Sequence, residues 1–406
     1  MYINRHMEEV LLSLSNQYPC ILVTGPRQVG KTTMIKKVLE KKGKIMTYVT
    51  LDDLDIRQTA KSDPKLFFQL YKPPIVIDEI QYAPELFPYI KIIADENQNA
   101  GEFILTGSQV YRLMKGISES LAGRIAILKM QGLSQSEMFR RENQPFIPEL
   151  NILTKRNNPM LDMLNIYETI YSGLMPAIAS GKYKESTKFY SGYVSTYLQK
   201  DIRDISEGID ELRFFNFITA TACRTAQLLN IAEIARDSQI DQKTANRWLD
   251  ILEMLGIIYY IYPYSNNLLK RTVKRQKMYF YDTGLVTYLT KWSNAETLMT
   301  GAFSGAILET FVMSEIMKSY YNAGKEPYVY YYRDVDMREI DIIIEKDGTL
   351  YPAEIKKAVS VNKNVARSFN IIAKSGLKQG TGGIINISSK LSAIDKDTLI
   401  IPIGLI

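Results

Sequence analysis

Short apolar, β-rich runs recur through the first third of the chain, at Cys20–Thr24, Ile45–Val49, Ile75–Asp78, Phe103–Thr106 and Ala126–Met130. Helix-like stretches separate them, including Thr33–Lys41. That alternation predicts strands joined by crossover helices, hence a parallel sheet covered on both faces. From Phe146 to Asp162 the pattern breaks into Pro-, Asn- and Lys-containing sequence, predicting a loop or linker. Residues 163–262 read as helical and Tyr-rich, ending in two helices, Ile231–Ser238 and Asp241–Gly256, joined by a short turn. Asp241 suits an N-cap and Gly256 a C-terminal cap. Ala245, Trp248, Leu249, Leu252 and Leu255 form one apolar face, while Gln242, Lys243, Asn246 and Arg247 face away. The run Ile257–Tyr262 then predicts a strand that could serve as a wing. The last hundred or so residues return to mixed helix and strand. There Asp347-Gly348 is a strong two-residue hairpin signal. The chain shows no internal repeat and no low-complexity tract.

At 406 residues the chain suggests two or three domains, taking roughly 150 residues per domain. Apolar residues at 46% and charged residues at 23% are ordinary for a folded protein. The longest apolar runs fall far short of the about 20 residues a membrane span needs. Glu8 and Glu9 stand where a signal peptide would be apolar. A cytoplasmic protein with no membrane partner is expected. Two cysteines, Cys20 and Cys223, and one histidine, His6, exclude a disulfide framework, a zinc knuckle and a Ser-His-Asp triad. Chemistry must therefore run on carboxylates, lysines, hydroxyls, backbone amides and recruited cations.

Gly25-Pro26-Arg27-Gln28-Val29-Gly30-Lys31-Thr32 fits GxxxxGK[ST] between a strand and a helix, the context that motif requires. Backbone amides of the loop, through Thr33, would cradle the phosphates of ATP, and the helix start adds positive charge. Lys31 would reach the β- and γ-phosphates, and Thr32 would bind Mg²⁺. Pro73–Glu79 is an apolar strand ending in Asp78-Glu79, which places Asp78 as a second Mg²⁺-side carboxylate and Glu79 as the group that orients attacking water. The next strand ends in Leu105-Thr106-Gly107-Ser108, where hydroxyls, Ser108 among them, are placed to sense the γ-phosphate. Arg124 is a candidate for stabilising transition-state charge, in cis or from a neighbouring subunit. The alternative is an ordinary ion-paired arginine.

Centring a turn on Asp347-Gly348 puts Asp341 opposite Glu354 and Glu339 opposite Lys356. Ile340, Ile342 and Ile344 then share the buried side with Tyr351, Ala353 and Ile355. Facing carboxylates repel and need a cation or a proton. The bland reading is a solvated hairpin face with a Glu339–Lys356 pair. The pattern Asp341…Glu354-x-Lys356 resembles the PD-(D/E)xK nuclease core. That resemblance implies Asp341, Glu354 and Glu309 as metal ligands and Lys356 as the group that positions the attacking water.

Gly25–Thr33, Ile75–Gln81, Leu105–Ser108, Leu121–Arg124, Tyr197–Ile205 and Tyr279–Leu285 together resemble the AAA-type, STAND-related P-loop ATPases of bacteria and archaea. More specifically, they resemble the family that joins such a domain to a C-terminal domain of unsettled function. Ser172-Gly-Leu-Met-Pro176 departs from the Gly-Gly-containing version expected there. The resemblance implies three parts. These are an α/β P-loop parallel-sheet domain over 1–145, a helical winged-helix-like domain over 146–285, and an α/β restriction-endonuclease-like domain over 286–406. The expected activity is Mg²⁺-dependent ATP hydrolysis coupled to double-stranded DNA binding and metal-dependent cleavage, with the basic stretch Lys270–Lys277 contacting phosphates. The other reading of the middle part is a helical lid over the ATPase site, with those cations in a solvated loop. The alternative is a nucleotide-controlled switch whose last domain binds a protein partner without cutting. Self-assembly into a homo-oligomer is a further expectation.

Overall fold

The computed structural model describes residues 2–42, 46–108, 117, 120–198, 210–265, 275–334, 338–374 and 376–406. Strands β1 (Cys20–Thr24), β2 (Thr47–Thr50), β3 (Ile75–Asp78), β4 (Phe103–Gly107) and β5 (Ile125–Lys129) form one sheet in the order β2-β3-β4-β1-β5. Every pairing in it is parallel. All five expected strands are present, with ends displaced by a residue or two; Ile45 lies outside the described residues. Along β1 the side chains alternate between two cores, Ile21 and Val23 to one, Cys20 and Leu22 to the other. Helix α1 (Lys31–Lys42) leaves the carboxyl end of β1 through a tight loop, at the sheet edge where open parallel sheets bind ligands.

The segment expected as a loop or linker is mostly loop, and it is packed as a seam. It contains a short helix, Leu150–Leu153. Phe146 is buried, its N–H donating to Ser319 Oγ at 2.9 Å and its carbonyl accepting from Tyr320 OH at 3.0 Å. Proline and asparagine broke the periodicity, yet the apolar residues between them still had a surface to cover.

The middle of the chain runs α2 (Glu211–Ala222), β6 (Gln227–Leu228), α3 (Ile231–Asp237), α4 (Gln242–Met254), β7 (Ile258–Pro263) and β8 (Lys277–Phe280). The three strands pair antiparallel in the order β6-β8-β7. Asp241 caps α4 by accepting from Thr244 N at 2.9 Å, and Gly256 ends it at φ +69°. Ala245, Trp248, Leu249 and Leu252 are buried, while Gln242, Lys243, Asn246 and Arg247 are exposed. The positions of 199–205 and of 266–274, most of the basic stretch, lie outside the described residues.

Helix α5 (Ser304–Tyr321) opens the C-terminal part, followed by β9 (Val329–Arg333), β10 (Glu339–Lys346), β11 (Thr349–Lys356), β12 (Lys378–Gln379), β13 (Gly382–Asn386), β14 (Ser392–Asp395) and β15 (Thr398–Pro402). These strands continue the middle sheet, because β7 pairs parallel with β9 at Tyr262↔Tyr330. The sheet order is β14-β15-β13-β11-β10-β9-β7-β8-β6, with β12 on β11. A helix over Thr283–Leu289 spans the expected 285/286 boundary. The hairpin turns at Asp347 (φ +50°) and Gly348 (φ +71°), in the expected register, with Ile342 opposite Ala353 and Lys346 opposite Thr349.

The expected burial pattern fails at one place. A register shift of β10 against β9 between Ile340 and Ile343 turns Ile340 into the cluster of Ile343 and Phe369, away from Ile342 and Ile344. A bulge reverses side-chain alternation locally, and nothing in the Glu339–Lys346 pattern marks it. Among the described residues, no helix is long and apolar enough to cross a membrane.

Candidate functional site

The loop after β1 needs glycine at both ends. Gly25 has φ +145° and a Cβ there would lie 1.9 Å from Met130 O; Gly30 has φ +90°. Lys31 folds back over the loop, its Nζ donating to Gly25 O and Pro26 O at 2.8 Å each. Beside it, buried Asp78 accepts from three hydroxyls. Thr32 Oγ1 lies 2.9 and 3.0 Å from its two oxygens, Tyr48 OH donates at 2.7 Å, and Thr106 Oγ1 donates as well. Burial pushes the Tyr48 phenol above its ordinary pKa, and its hydrogen bond to Asp78 adds to the shift. Glu79 takes a left-handed φ of +57° at the strand end; its N–H donates to Thr106 Oγ1 at 3.1 Å, and its carboxylate accepts from Gln81.

A cavity of about 660 Å³ opens beside these groups, lined by Arg27–Thr33 and Glu79 on one side and by Pro176, Lys182, Tyr183 and Tyr197 on the other. Its volume is in the range of small-ligand sites. The Ser172–Pro176 segment thus has a position at the cleft despite its departure from the family pattern. Asp282 holds it there, accepting from Leu174 N at 3.2 Å and from Tyr190 OH at 2.6 Å.

One expected residue, Arg124, is elsewhere, and the hydroxyl that meets Asp78 is that of Thr106. Ile77 pairs with Leu105, so the residue beside Asp78 is Thr106. Ser108 is buried two residues further on, its hydroxyl without a hydrogen-bond partner among the described residues. Arg124 immediately precedes β5, whose first residue pairs with Cys20 at the start of β1. It therefore sits at the opposite sheet edge from the phosphate loop, a strand length of roughly 15 Å away at about 3.3 Å per residue. There it forms a two-point ion pair with Asp95. This is the ion-paired arginine that the sequence offered as the alternative.

Thr106 was one of the two hydroxyls expected at the end of its strand, whereas Tyr48 and Arg5 were not singled out from the pattern. A hydroxyl on a strand flanking β3 is a usable signal for Tyr48. For Arg5 the sequence carries none. This buried arginine donates to Val29 O inside the phosphate loop at 2.8 Å and to Gln131 O at 2.7 Å, and pairs with Glu137 at 2.9 Å.

The C-terminal acids form a second polar centre. Asp341 Oδ2 accepts from Ile355 N at 2.9 Å and lies 3.8 Å from Lys356 Nζ. Glu354 pairs with Lys356 at 2.7 Å and accepts from Ser368 Oγ at 3.2 Å. The Glu354 carboxyl is pushed up to about 8, first by burial and then by the facing Asp341 charge. Glu309, on α5, accepts from Tyr279 OH at 2.7 Å and pairs with Lys277 at 3.2 Å; burial raises its pKa. Glu339 pairs with Lys277 at 2.6 Å, not with Lys356. The Asp341 charge raises both the Glu354 and the Glu309 carboxyl, so the three expected acids neighbour one another, with Lys277 paired to Glu309 and Lys356 to Glu354. Among the described residues, no three His, Cys, Asp or Glu side chains form a group suited to a metal ion.

Residues 17–139 match the family model described as an AAA domain. The N-terminal domain is an AAA-type P-loop domain. Residues 163–296 and 304–406 match two further family models, described as domains of unknown function DUF8612 and DUF4143. Two curated proteins, Rv2008c of Mycobacterium tuberculosis and Mb2031c of Mycobacterium bovis, are each 29% identical over 340 residues, 84% of this chain and 70% of theirs. Among solved structures, the Walker-type ATPase PABY2304 of Pyrococcus abyssi is similar at 18% identity and a TM-score of 0.41, covering 71% of this chain and 96% of that one.

The AAA domain touches both other parts. A Cβ on Gly256, at the end of α4, would meet Pro26 of the phosphate loop at 3.1 Å, so α4 abuts the loop directly. From α5, Glu315 accepts from Gln135 N at 2.7 Å and Lys318 donates to Leu133 O at 3.0 Å. The same helix carries Glu309 of the C-terminal cluster.

Proposed function

We propose that this protein binds and hydrolyses ATP at the AAA-domain cleft and uses the nucleotide state to control the middle and C-terminal parts. The convergence of Lys31, Thr32 and Asp78 on one end of the glycine loop carries this reading. Thr32 and Asp78 present adjacent hard oxygen donors, chemistry that suits Mg²⁺. They would hold the ion, which when bound neutralises phosphate charge. Loop amides and Lys31 bind the phosphates, Thr106 and Tyr48 orient Asp78, and Glu79 at the cleft wall positions water for in-line attack.

Lys31→Ala is expected to abolish ATP binding measured by calorimetry. Glu79→Gln should retain binding and lose about 100-fold or more in turnover, the usual scale for a positioned base. Equal turnover in wild type and Glu79→Gln would overturn the assignment.

The order helix, strand, helix, helix, hairpin through α2–β8 supports a winged-helix reading of the middle part. The exposed Gln242, Lys243, Asn246 and Arg247 on α4 support duplex DNA as its ligand. Replacing Lys243 and Arg247 by Ala should weaken binding across sequences and reduce the salt slope by about 1 for each phosphate no longer neutralised. In the C-terminal part, α5, the β9–β11 meander, the Asn370–Lys374 helix and β13 follow the order of a nuclease-like core. Pairing of its acids with Lys277 and Lys356 favours a role in binding over cutting.

A further inference from the structure

The acids that the C-terminal cluster offers a divalent ion are Glu309, Glu339, Asp341 and Glu354, and each already has a lysine partner within the chain. The partner that the nuclease-like pattern does not contain is Lys277. It lies in β8, central in the β6-β8-β7 sheet, and only 5% of it is exposed. Its ammonium bridges two elements, 3.2 Å from Glu309 Oε1 on α5 and 2.6 Å from Glu339 Oε1 on β10. Tyr279, two residues along the same strand and on the same face, adds its hydroxyl to Glu309 at 2.7 Å. Lys277 belongs to the segment matching the model over 163–296, and all four acids belong to the segment matching the model over 304–406. The cluster is therefore composite.

We infer that Lys277 is an internal counter-cation that closes the C-terminal acidic cluster to divalent metal. Mg²⁺ or Mn²⁺ needs oxygen ligands at about 2.0–2.1 Å in near-octahedral array. An ammonium 2.6 Å from Glu339 and 3.2 Å from Glu309 claims the oxygens and the space that such an ion would take. Two cations sharing these acids would also repel in a site where water screens little. Lys356 differs: it stands where the nuclease-like pattern has a lysine, and among the described residues its ion pairs are with Glu354 and Asp341. The fold thus provides the acids and sets its own ammonium against two of them, Glu309 and Glu339.

The inference uses the nuclease-like reading only to name the acids, and it is tested without nucleotide or DNA, so its failure leaves the ATPase reading untouched. Mn²⁺ alone is titrated into the full chain by calorimetry and by electron paramagnetic resonance. Wild type and Asp341→Asn should bind Mn²⁺ alike, because the cluster is closed in both. Lys277→Met should gain one Mn²⁺ site, about tenfold or more tighter than any in wild type. Adding Asp341→Asn should remove that site, and Lys277→Arg should stay closed like wild type. An Asp341-dependent Mn²⁺ site in wild type overturns the inference, as does a folded Lys277→Met that gains none. The wild-type comparison carries the test even if Lys277→Met fails to fold.

Discussion

Arg5 ties three parts of the AAA domain together through one guanidinium: the N-terminal segment that carries it, Val29 of the phosphate loop, and Glu137 beyond β5. Both partners of the ion pair are buried, at 3% and 0% side-chain exposure. Losing one partner would leave an uncompensated charge. Arg5→Ala should therefore cost about 3–5 kcal/mol in denaturant-monitored stability. The pair also has a pH signature. Burial opposes ionisation of Glu137, but Arg5 and the N–H groups of Ser134 and His6 outweigh it and hold the carboxyl below its ordinary 4.5. The folded state thus binds this proton less tightly than the unfolded chain. The contribution to stability is complete above about pH 4.5 and is lost as pH falls through the depressed folded value. Glu137→Gln should flatten that part of the acid-unfolding profile. At this scale the glycines, Lys31, Thr32 and Asp78 were legible because a local motif sets their geometry. Thr106 was not separable from Ser108 because only the register of β3 on β4 decides which hydroxyl meets Asp78. For Arg124 the structure shows the ion-paired alternative: β5 begins at the edge opposite the phosphate loop, and Asp95 meets the guanidinium there.

Among elements, α4 was readable nearly residue by residue, since an N-cap, an amphipathic period and a terminal glycine are all local signals. What the period could not say is where the helix ends in space. Gly256, at φ +69°, abuts Pro26, so the end of α4 and the phosphate loop share one contact. Gly256→Val should introduce backbone strain of about 1–3 kcal/mol and press on the loop. The expected result is weaker ATP binding by calorimetry in protein that still shows a cooperative unfolding transition. Unchanged affinity would show that the contact transmits nothing. The β10–β11 hairpin makes the same distinction. Its turn and register follow from Asp347-Gly348, whereas the bulge that redirects Ile340 arises from pairing with β9.

Over the whole molecule, one apolar core runs from Ile21 and Leu128 of the AAA sheet through Trp248 of α4 to Ile342 and Ile385 of the C-terminal sheet. The middle and C-terminal parts also share a sheet through β7 and β9. A chain ending at residue 296 would expose the edge of β7 and the core face that α5 covers. It is expected to elute as aggregate in size-exclusion chromatography, because an unpaired apolar edge recruits other strands. A monodisperse, folded fragment would show the shared sheet to be dispensable. The sequence by itself determined the parallel sheet, the phosphate loop, the capped helix and the facing pair Asp341–Glu354, since each is written in local periodicity or in a motif with its own backbone geometry. Only the tertiary structure decided that Lys277 enters the acid cluster, that Arg124 pairs with Asp95, and that the Phe146–Asp162 segment is a packed seam. Those outcomes depend on which distant strands pair and in which register, and neither charge nor hydrophobic spacing along the chain encodes that choice.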